Sequence, residues 1–275
     1  MTADHIVTTV VRPDLSRRTA LSKSAVVQFD LCQTKAWFSI HDRRPFVPNE
    51  KTSFGSAVDA AVEKVIEDVR DGRDIDEERS FAAAAEIVER DAAGVELSKV
   101  ESAVRTFRAN ILPTFDWAEV ALQAHLNTNV DGLGEVDGHP DIILASNAVW
   151  DVKTGKAKRT AETPELGLYG VLVEAVSGSR VPEVGYIYYD RDLVTPKWGV
   201  ISAPFTDEYH RWAFERARAF ARAKEADALL NAGAERAENY SMVGGPKFDG
   251  LCSDCPYSPA LGGPCSLVYK KEEAS

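Results

Sequence analysis

Two acidic residues and a lysine in the middle of the chain have types and spacing that suit metal-assisted hydrolysis. Asp141 ends the segment Gly-His-Pro-Asp, and Asp151 and Lys153 follow in the segment Asp-Val-Lys-Thr-Gly. Alternate residues of a β-strand point to the same face, so Asp151 and Lys153 would share one face. Their neighbours Trp150 and Val152 suit the opposite, buried face. Converging carboxylates repel each other until a divalent cation binds them, and oxygen ligands favour Mg²⁺ or Mn²⁺.

The hairpin between the two acids decides whether they meet. A two-residue loop ending at Asn147 would turn Asp141 away from Asp151, whereas a three-residue loop would pair residue 144 with 148 and place the acids opposite each other. The last residue of a three-residue loop is left-handed, and asparagine tolerates that conformation. We therefore predict the three-residue loop with Asn147 left-handed. An exposed hairpin with scattered charges is the alternative interpretation.

The surrounding pattern predicts a helical part followed by a β-rich part. Apolar residues at helical spacing predict a helix within 21–38, and then helices over 54–69 with Ser53 as N-cap, 79–92 and 100–111. Short Val-, Ile- and Tyr-rich segments predict strands over 119–129, 136–145, 148–153, 183–190 and 198–203. Thr163, Pro164 and Gly178 bracket a further helix before the fourth strand, and a long helix is expected over 206–231.

The composition is that of an ordinary globular protein. The chain has 275 residues, a formal net charge of −11 and 44% hydrophobic residues, which is enough for a sizeable core. No apolar run approaches the roughly 18 residues of a membrane span, and no apolar signal core stands near the N-terminus, so we expect a cytoplasmic protein without a membrane partner. The acidic balance argues against nucleic-acid binding by bulk charge but allows a local basic groove.

The motif of Asp141, Asp151-x-Lys153-Thr-Gly and a following helix with Tyr169 resembles the PD-(D/E)XK nuclease superfamily, in its RecB-like branch. The resemblance implies an α/β fold with a restriction-endonuclease-like core, in which helices flank a mixed central sheet and a helical region is inserted. It implies that Asp141, Asp151 and the Val152 carbonyl bind Mg²⁺ or Mn²⁺. Lys153 would orient the attacking water, and Tyr169 would support the site or the DNA strand.

Two positions depart from the family pattern. Asp59 stands where the family usually has histidine on the first core helix, and Glu165 stands where it has glutamine before Tyr169. Carboxylates also bind hard cations, so we include both residues among the expected metal ligands. The alternative is that each is an acid favoured in the first turn of its helix.

The four cysteines form a one-plus-three arrangement: Cys32, then Cys252-x-x-Cys255, then Cys265. This spacing suits a metal or cluster better than disulfides in a reducing compartment, and four unconnected thiols are the alternative. It resembles the CRISPR-associated exonucleases and the AddB nuclease domain, which implies a [4Fe-4S] cluster. Such a cluster would be a structural staple that joins the N- and C-terminal parts.

Basic residues near the motif could contact phosphate groups. Lys156, Lys158 and Arg159 follow Lys153, although a solvated loop explains them equally well. Lys23 belongs to a second basic region in the N-terminal part, which could flank an entering strand. We expect His139 to be an exposed loop residue and His125 to be structural.

The motif together with the resemblance predicts a metal-dependent DNA exonuclease that acts on single-stranded ends, and the resemblance further implies a role in recombination, repair or end processing. Its partners would be DNA and recombination or CRISPR-adaptation proteins. The expected division is a partly ordered lead-in 1–20, one nuclease domain 21–265 and a tail 266–275. Within the domain we expect a helical region 53–118, a catalytic sheet core 119–203, a long helix 206–231 and a cysteine-bearing loop 239–265. The alternatives are a non-catalytic DNA-binding scaffold on the same fold and a four-cysteine zinc protein.

Overall fold

The computed structural model of the chain describes residues 20–33, 35–36, 47–156, 160–191 and 193–229, together with residues 255 and 257. The expected lead-in up to residue 19, most of the cysteine-bearing loop and the tail lie outside these residues. So do Lys158, Arg159, Cys252 and Cys265. Within the described ranges, no helix is long and apolar enough to cross a bilayer.

The first part of the chain is helical, as predicted. It forms α1 (Lys23–Leu31), α2 (Glu50–Arg70), α3 (Glu77–Asp91) and α4 (Leu97–Asn110). Helix α2 begins at a capping box, in which the Asn49 side chain accepts from Thr52 N–H at 3.1 Å and the Thr52 hydroxyl accepts from Asn49 N–H at 2.9 Å. The prediction of Ser53 as N-cap is therefore wrong. Ser53 lies inside the helix, where its hydroxyl donates to Asp91 Oδ2 at 2.8 Å.

The strands of the described residues form two sheets. Their strands are β1 (Leu21–Ser22), β2 (Ala121–Leu122), β3 (Leu126–Val130), β4 (Gly134–Gly138), β5 (Ile142–Ile143), β6 (Val149–Gly155), β7 (Glu183–Asp190) and β8 (Lys197–Pro204). The larger sheet has the order β2-β5-β6-β7-β8, and the smaller one has the order β1-β4-β3. Only the β6–β7 pair of the larger sheet is parallel, which makes it a mixed sheet.

Helix α5 (Pro164–Ser177) connects the parallel strands β6 and β7, because parallel neighbours need a crossover. Its ends are as predicted. Thr163 caps the N-terminus, Pro164 occupies the first turn, and Gly178 adopts a left-handed φ of 66° after the last turn. Helix α6 (Asp207–Leu229) follows β8.

Two strand predictions are wrong in extent. The predicted strand 119–129 divides at Gln123, which has a φ of 46°, and its two pieces belong to different sheets. The predicted strand 136–145 divides at Pro140 in the same way. Proline lacks the N–H that a ladder needs, which explains the second break. Nothing in the local sequence signals the first.

Buried side chains cover both faces of β6. Val149 packs in a cluster with residues of α5 and α6, whereas Trp150 and Val152 pack in a second cluster with residues of α2 and α4. The predicted alternation of this strand is therefore confirmed, and so is the α/β architecture with helices on a mixed sheet. Helices α2 and α5 lie against opposite faces of β6, and each carries an acidic residue, Asp59 or Glu165.

Candidate active site

The β5–β6 hairpin has the predicted register. Ile142 pairs with Trp150 and Ile143 with Val149, so the same ladder places Asp141 opposite Asp151. Leu144 N–H donates to the Ala148 carbonyl at 2.9 Å, which leaves a three-residue loop. Asn147, the last loop residue, has a φ of 66°, so the left-handed conformation is confirmed.

Asp141 is held in place by the hairpin itself. Its Oδ2 accepts a hydrogen bond from Val152 N–H at 2.8 Å, and its Oδ1 accepts one from the Gln123 amide at 3.3 Å. The backbone of β6 therefore fixes one carboxylate oxygen of Asp141. Gln123 was not among the predicted site residues.

Helix α2 brings Asp59 to the hairpin by packing closely on β6. A Cβ at Gly55 would lie 2.8 Å from Thr154 Oγ1, so only glycine allows this approach without a shift. Asp59 follows one turn later. Its Oδ1 is buried and accepts no hydrogen bond from the residues that the structure describes. The pKa of Asp59 is raised well above its usual value, mainly by burial and next by the negative charge of Asp141.

A small cavity separates these groups. It has a volume of about 10 Å³, roughly the space of one water-sized group, and its polar lining comes from Asp59, Glu63, Gln123 and Asp141. Val152 lines it as well. Glu63 lies one turn beyond Asp59, and burial raises its pKa. Glu63 was not among the predicted site residues, although its spacing of four from Asp59 is visible in the sequence.

Asp151 is almost completely enclosed, with 1% of its surface exposed. Its pKa is raised to about 8, mainly by burial and next by the negative charge of Asp141. Asp59, Asp141 and Asp151 therefore repel one another in a low-dielectric space, which is the electrostatic condition that a divalent cation relieves. Buried carboxylates, an orphaned oxygen and a cavity of ionic size fit Mg²⁺ or Mn²⁺.

Two lysines lie on the other side of Asp151. Lys153 forms an ion pair with Asp151, and its Nζ lies 3.2 Å from Glu165 Oε1. Lys23, from the first turn of α1, has its Nζ 2.6 Å from Glu165 Oε1 and 3.9 Å from Asp151 Oδ1. Burial lowers the pKa of each lysine, but the neighbouring acids outweigh burial and raise it, so both ammonium groups stay charged at neutral pH.

Lys23 lies beside Asp151 and Glu165 at the acid cluster, and its predicted place in a basic region that flanks an incoming DNA strand stays a prediction. Lys23 follows β1 directly, and β1 pairs in parallel with β4. That pairing joins residues more than one hundred positions apart, and the N-terminal sequence alone carries no signal of it.

Glu165 contacts the lysines. Its Oε1 accepts a hydrogen bond from Lys23, and its Oε2 accepts one from the Tyr186 hydroxyl at 3.0 Å. Burial raises the pKa of Glu165, but Lys153 and Lys23 together hold it at about 2. The carboxylate is thus ionised, and it is paired with the ammonium groups of Lys23 and Lys153. Its assignment as a metal ligand stays a prediction.

Tyr169 supports the segment that carries Asp141. Its hydroxyl donates to the His139 carbonyl at 2.7 Å, and Lys23 Nζ lies 5.0 Å from the centre of its ring. The ring of Tyr169 is buried between α5 and β4. The predicted supporting role therefore has a specific contact in the backbone just before Asp141.

The remaining predicted residues are less constrained. Lys156 is exposed at the end of β6, next to the segment with Lys158 and Arg159 that lies outside the described residues. Cys32 and Cys255 are both partly exposed, and neither forms a disulfide within the described residues. Cys252 and Cys265 lie outside the described part of the chain, so the cluster remains a prediction.

Comparison with known proteins gives a family and a fold. A sequence model of the PD-(D/E)XK nuclease superfamily matches residues 20–260. The fold is similar to that of a protein from Eubacterium rectale named as a "putative exonuclease", with a TM-score of 0.57 and 11% identity over 83% of this chain and 89% of that one. The structure of SSO0001 matches with a TM-score of 0.34 and 15% identity over 75% of this chain and 84% of that one. No curated protein matches the sequence.

Proposed function

We propose that this chain, which belongs to the PD-(D/E)XK nuclease superfamily, is a metal-dependent exonuclease that hydrolyses DNA, with single-stranded ends as its preferred substrate. One observation carries the proposal. Asp141 and Asp151 lie opposite each other on a hairpin, and Asp59 and Lys153 reach the same place from a helix and a strand. The likeness of the fold to the Eubacterium rectale protein is in keeping with this activity.

Asp59, Asp141, Asp151 and the Val152 carbonyl are the groups that would hold Mg²⁺ or Mn²⁺. The charges of the site support one divalent ion. The pKa values of Asp59 and Asp151 are raised by burial, and because two ammonium groups do not balance the negative charge that these acids, Asp141 and Glu165 would carry together once deprotonated, and a divalent ion would supply the missing positive charge. A bound divalent cation supplies Lewis acidity, which withdraws charge from a phosphoryl oxygen and lowers the pKa of water.

Lys153 would act as a hydrogen-bond donor. Because its pKa is raised, it does not accept a proton near neutral pH. Its Nζ lies against Asp151 and Glu165, so the ammonium group is fixed at the edge of the acid cluster. From there it can hold the attacking water or a non-bridging phosphate oxygen as negative charge develops.

Lys23 and Glu165 are positioning residues in this scheme. Glu165 accepts from both lysines and from Tyr186, and so keeps the two ammonium groups from moving onto Asp141 or Asp59. Lys23 adds a second positive charge beside Asp151. Tyr169 holds the backbone just before Asp141 in place by donating a hydrogen bond to the His139 carbonyl.

A cleavage assay with end-labelled linear DNA and closed circular single-stranded DNA, each with Mg²⁺ or Mn²⁺, tests the activity. We expect linear DNA to be shortened from its ends and circular DNA to survive. Asp151→Asn and Lys153→Met should each lower the rate by about 100-fold or more. The control variants Glu89→Gln and Lys51→Met change exposed residues of α3 and α2 and should keep the wild-type rate.

The two outcomes that contradict the proposal are distinct. Variants as active as the wild type would place the active site elsewhere. DNA binding without metal-dependent cleavage would instead support a scaffold role for the same fold.

The finer assignments are part of the same proposal. The spacing of Cys32, Cys252, Cys255 and Cys265 supports a structural [4Fe-4S] cluster, and the RecB-like resemblance supports a role in recombination, repair or CRISPR adaptation. Anaerobic purification followed by iron and sulfide analysis tests the cluster. We expect about four iron and four sulfide per chain. A colourless protein with one zinc would contradict it.

A further inference from the structure

Two histidines and an aspartate meet at one end of the smaller sheet. Leu126 pairs with Gly138, so continuing the β3–β4 ladder by one step places His125 opposite His139. Their rings are stacked, with centroids 4.3 Å apart and planes 4° from parallel. Asp137, on β4, completes the group. One ligand atom from each residue lies within 4.8 Å of the other two.

The three side chains are held by rigid surroundings. His125 Nε2 lies 2.6 Å from Asp137 Oδ1, which orients that ring. Asp137 also pairs with Ser22 through the β1–β4 ladder, and the His139 carbonyl accepts the hydrogen bond from Tyr169. Strand β4, which carries Asp137 and leads into His139, is therefore paired on both edges, with β1 and with β3.

Exposure leaves room for a ligand. The side chain of Asp137 is 13% exposed, whereas that of His125 is 45% exposed, and His139 is exposed as well. The carboxylate of Asp137 thus lies on the protein side of the group, and the two imidazoles lie on the solvent side. An ion held by all three would keep at least one coordination position open to solvent.

We propose that His125, Asp137 and His139 bind one transition-metal ion of the zinc class, at a site separate from the carboxylates Asp59, Asp141 and Asp151. Two imidazoles and one carboxylate are a common donor set for Zn²⁺, Co²⁺ and Ni²⁺, and Mg²⁺ competes poorly for imidazole. Ligand atoms around a tetrahedral Zn²⁺ lie about 3.3 Å apart. To bind one ion, the imidazoles would rotate out of their stacked arrangement so that the in-plane lone pairs of their nitrogens converge on it.

Metal binding here would restrain the segment that carries Asp141. His139 lies two residues before Asp141, and its own backbone carbonyl already accepts a hydrogen bond from the Tyr169 hydroxyl. An ion that joins His139 to His125 and Asp137 would link the beginning of that segment to the start of β3 and to β4. Because the ion binds only the folded arrangement, it should raise the unfolding temperature.

Titration with Zn²⁺, followed through the ring ¹⁵N and C–H signals of the histidines, tests the site in the full-length protein. The chain has five histidines, and we expect one equivalent of Zn²⁺ to change the signals of His125 and His139 alone. This readout is insensitive to metal bound by cysteines. His125→Ala, Asp137→Asn and His139→Ala should each weaken binding at least tenfold, whereas the control His210→Ala should not.

Asp151→Asn separates this site from the proposed nuclease centre. It removes a carboxylate of the acid cluster and should leave the histidine signals and the Zn²⁺ affinity unchanged, whether or not the wild type cleaves DNA. Loss of Zn²⁺ binding in Asp151→Asn would overturn the claim of a separate site. Equal changes at all five histidines, or none at His125 and His139, would overturn the site itself.

Discussion

Lys23 Nζ lies 2.6 Å from Glu165 Oε1, although 142 positions separate the two residues in the chain. The contact joins the first turn of α1 to the first turn of α5. It also gives the acid cluster a second cation beside Lys153, so the charge of the site depends on helix α1 as well as on strand β6. Lys23 is the residue through which the N-terminal helix takes part in the site.

Replacement of Lys23 by methionine should lower the rate of DNA cleavage by about tenfold, because Glu165 and Asp151 lose one compensating charge. The acidic limb of the pH–rate profile should move to higher pH, since Lys23 lowers the pKa of both acids. A purely structural role would lower the rate without moving the profile. Lys51→Met, on the exposed side of α2, is the matched control.

Asp151→Asn should stabilise the metal-free protein at alkaline pH. The folded-state pKa of Asp151 is about 8, above its unfolded value near 3.8. Ionisation is therefore unfavourable in the fold, and the stability present at low pH is lost as pH rises from about 4 to about 8. In EDTA at pH 8, we expect the melting temperature of Asp151→Asn to exceed that of the wild type by about 2–5 °C. Equal melting temperatures at pH 5 and pH 8 in both proteins would contradict this.

Binding of Mn²⁺ should release protons near neutral pH. The pKa values of Asp59 and Asp151 are raised, so both acids must lose protons that they partly hold in the metal-free site. Calorimetry at pH 7 in two buffers of different ionisation enthalpy should give different heats, corresponding to about one proton released. The apparent affinity should increase from pH 6 to pH 8. Identical heats in the two buffers would show that the acids are already ionised.

Gly55→Ala should destabilise the protein by about 1–3 kcal/mol, because the new Cβ would lie 2.8 Å from Thr154 Oγ1 and force α2 away from β6. Cleavage should also fall, since Asp59 moves with the helix. Removal of the obstructing oxygen in Gly55→Ala/Thr154→Ala should restore part of both losses. Ser56→Ala, at the exposed neighbouring position, controls for the change in helix propensity. Chemical denaturation and the DNA assay measure the two effects.

The hairpin and helix α5 could be predicted because short-range chemistry determines them. Asn147 tolerates the left-handed turn that sets the register, and Thr163, Pro164 and Gly178 mark the ends of the helix. Pro140 offered a visible reason for a strand break that the periodicity of 136–145 concealed. These features depend on residues a few positions apart, so the sequence alone carries the information.

Lys23 and the smaller sheet could not be predicted for the opposite reason. The β1–β4 pairing of Leu21 with Val136 is a long-range contact between very short strands, and no local pattern specifies its partner. The break at Gln123 likewise coincides with a contact distant in sequence, in which Gln123 N–H donates to the Asp141 carbonyl at 2.9 Å. His125, expected to be structural, is exposed and faces His139 because this second sheet exists.

The most direct test of the central claim is anomalous diffraction from a crystal of the protein grown with Mn²⁺. We expect one strong peak among Asp59, Asp141 and Asp151, with carboxylate oxygens at bonding distances of about 2.0–2.6 Å. The same experiment on Asp151→Asn should show that peak weakened or lost. A wild-type crystal without a peak at these three acids, from protein that still degrades DNA, would contradict the assignment of the catalytic metal site.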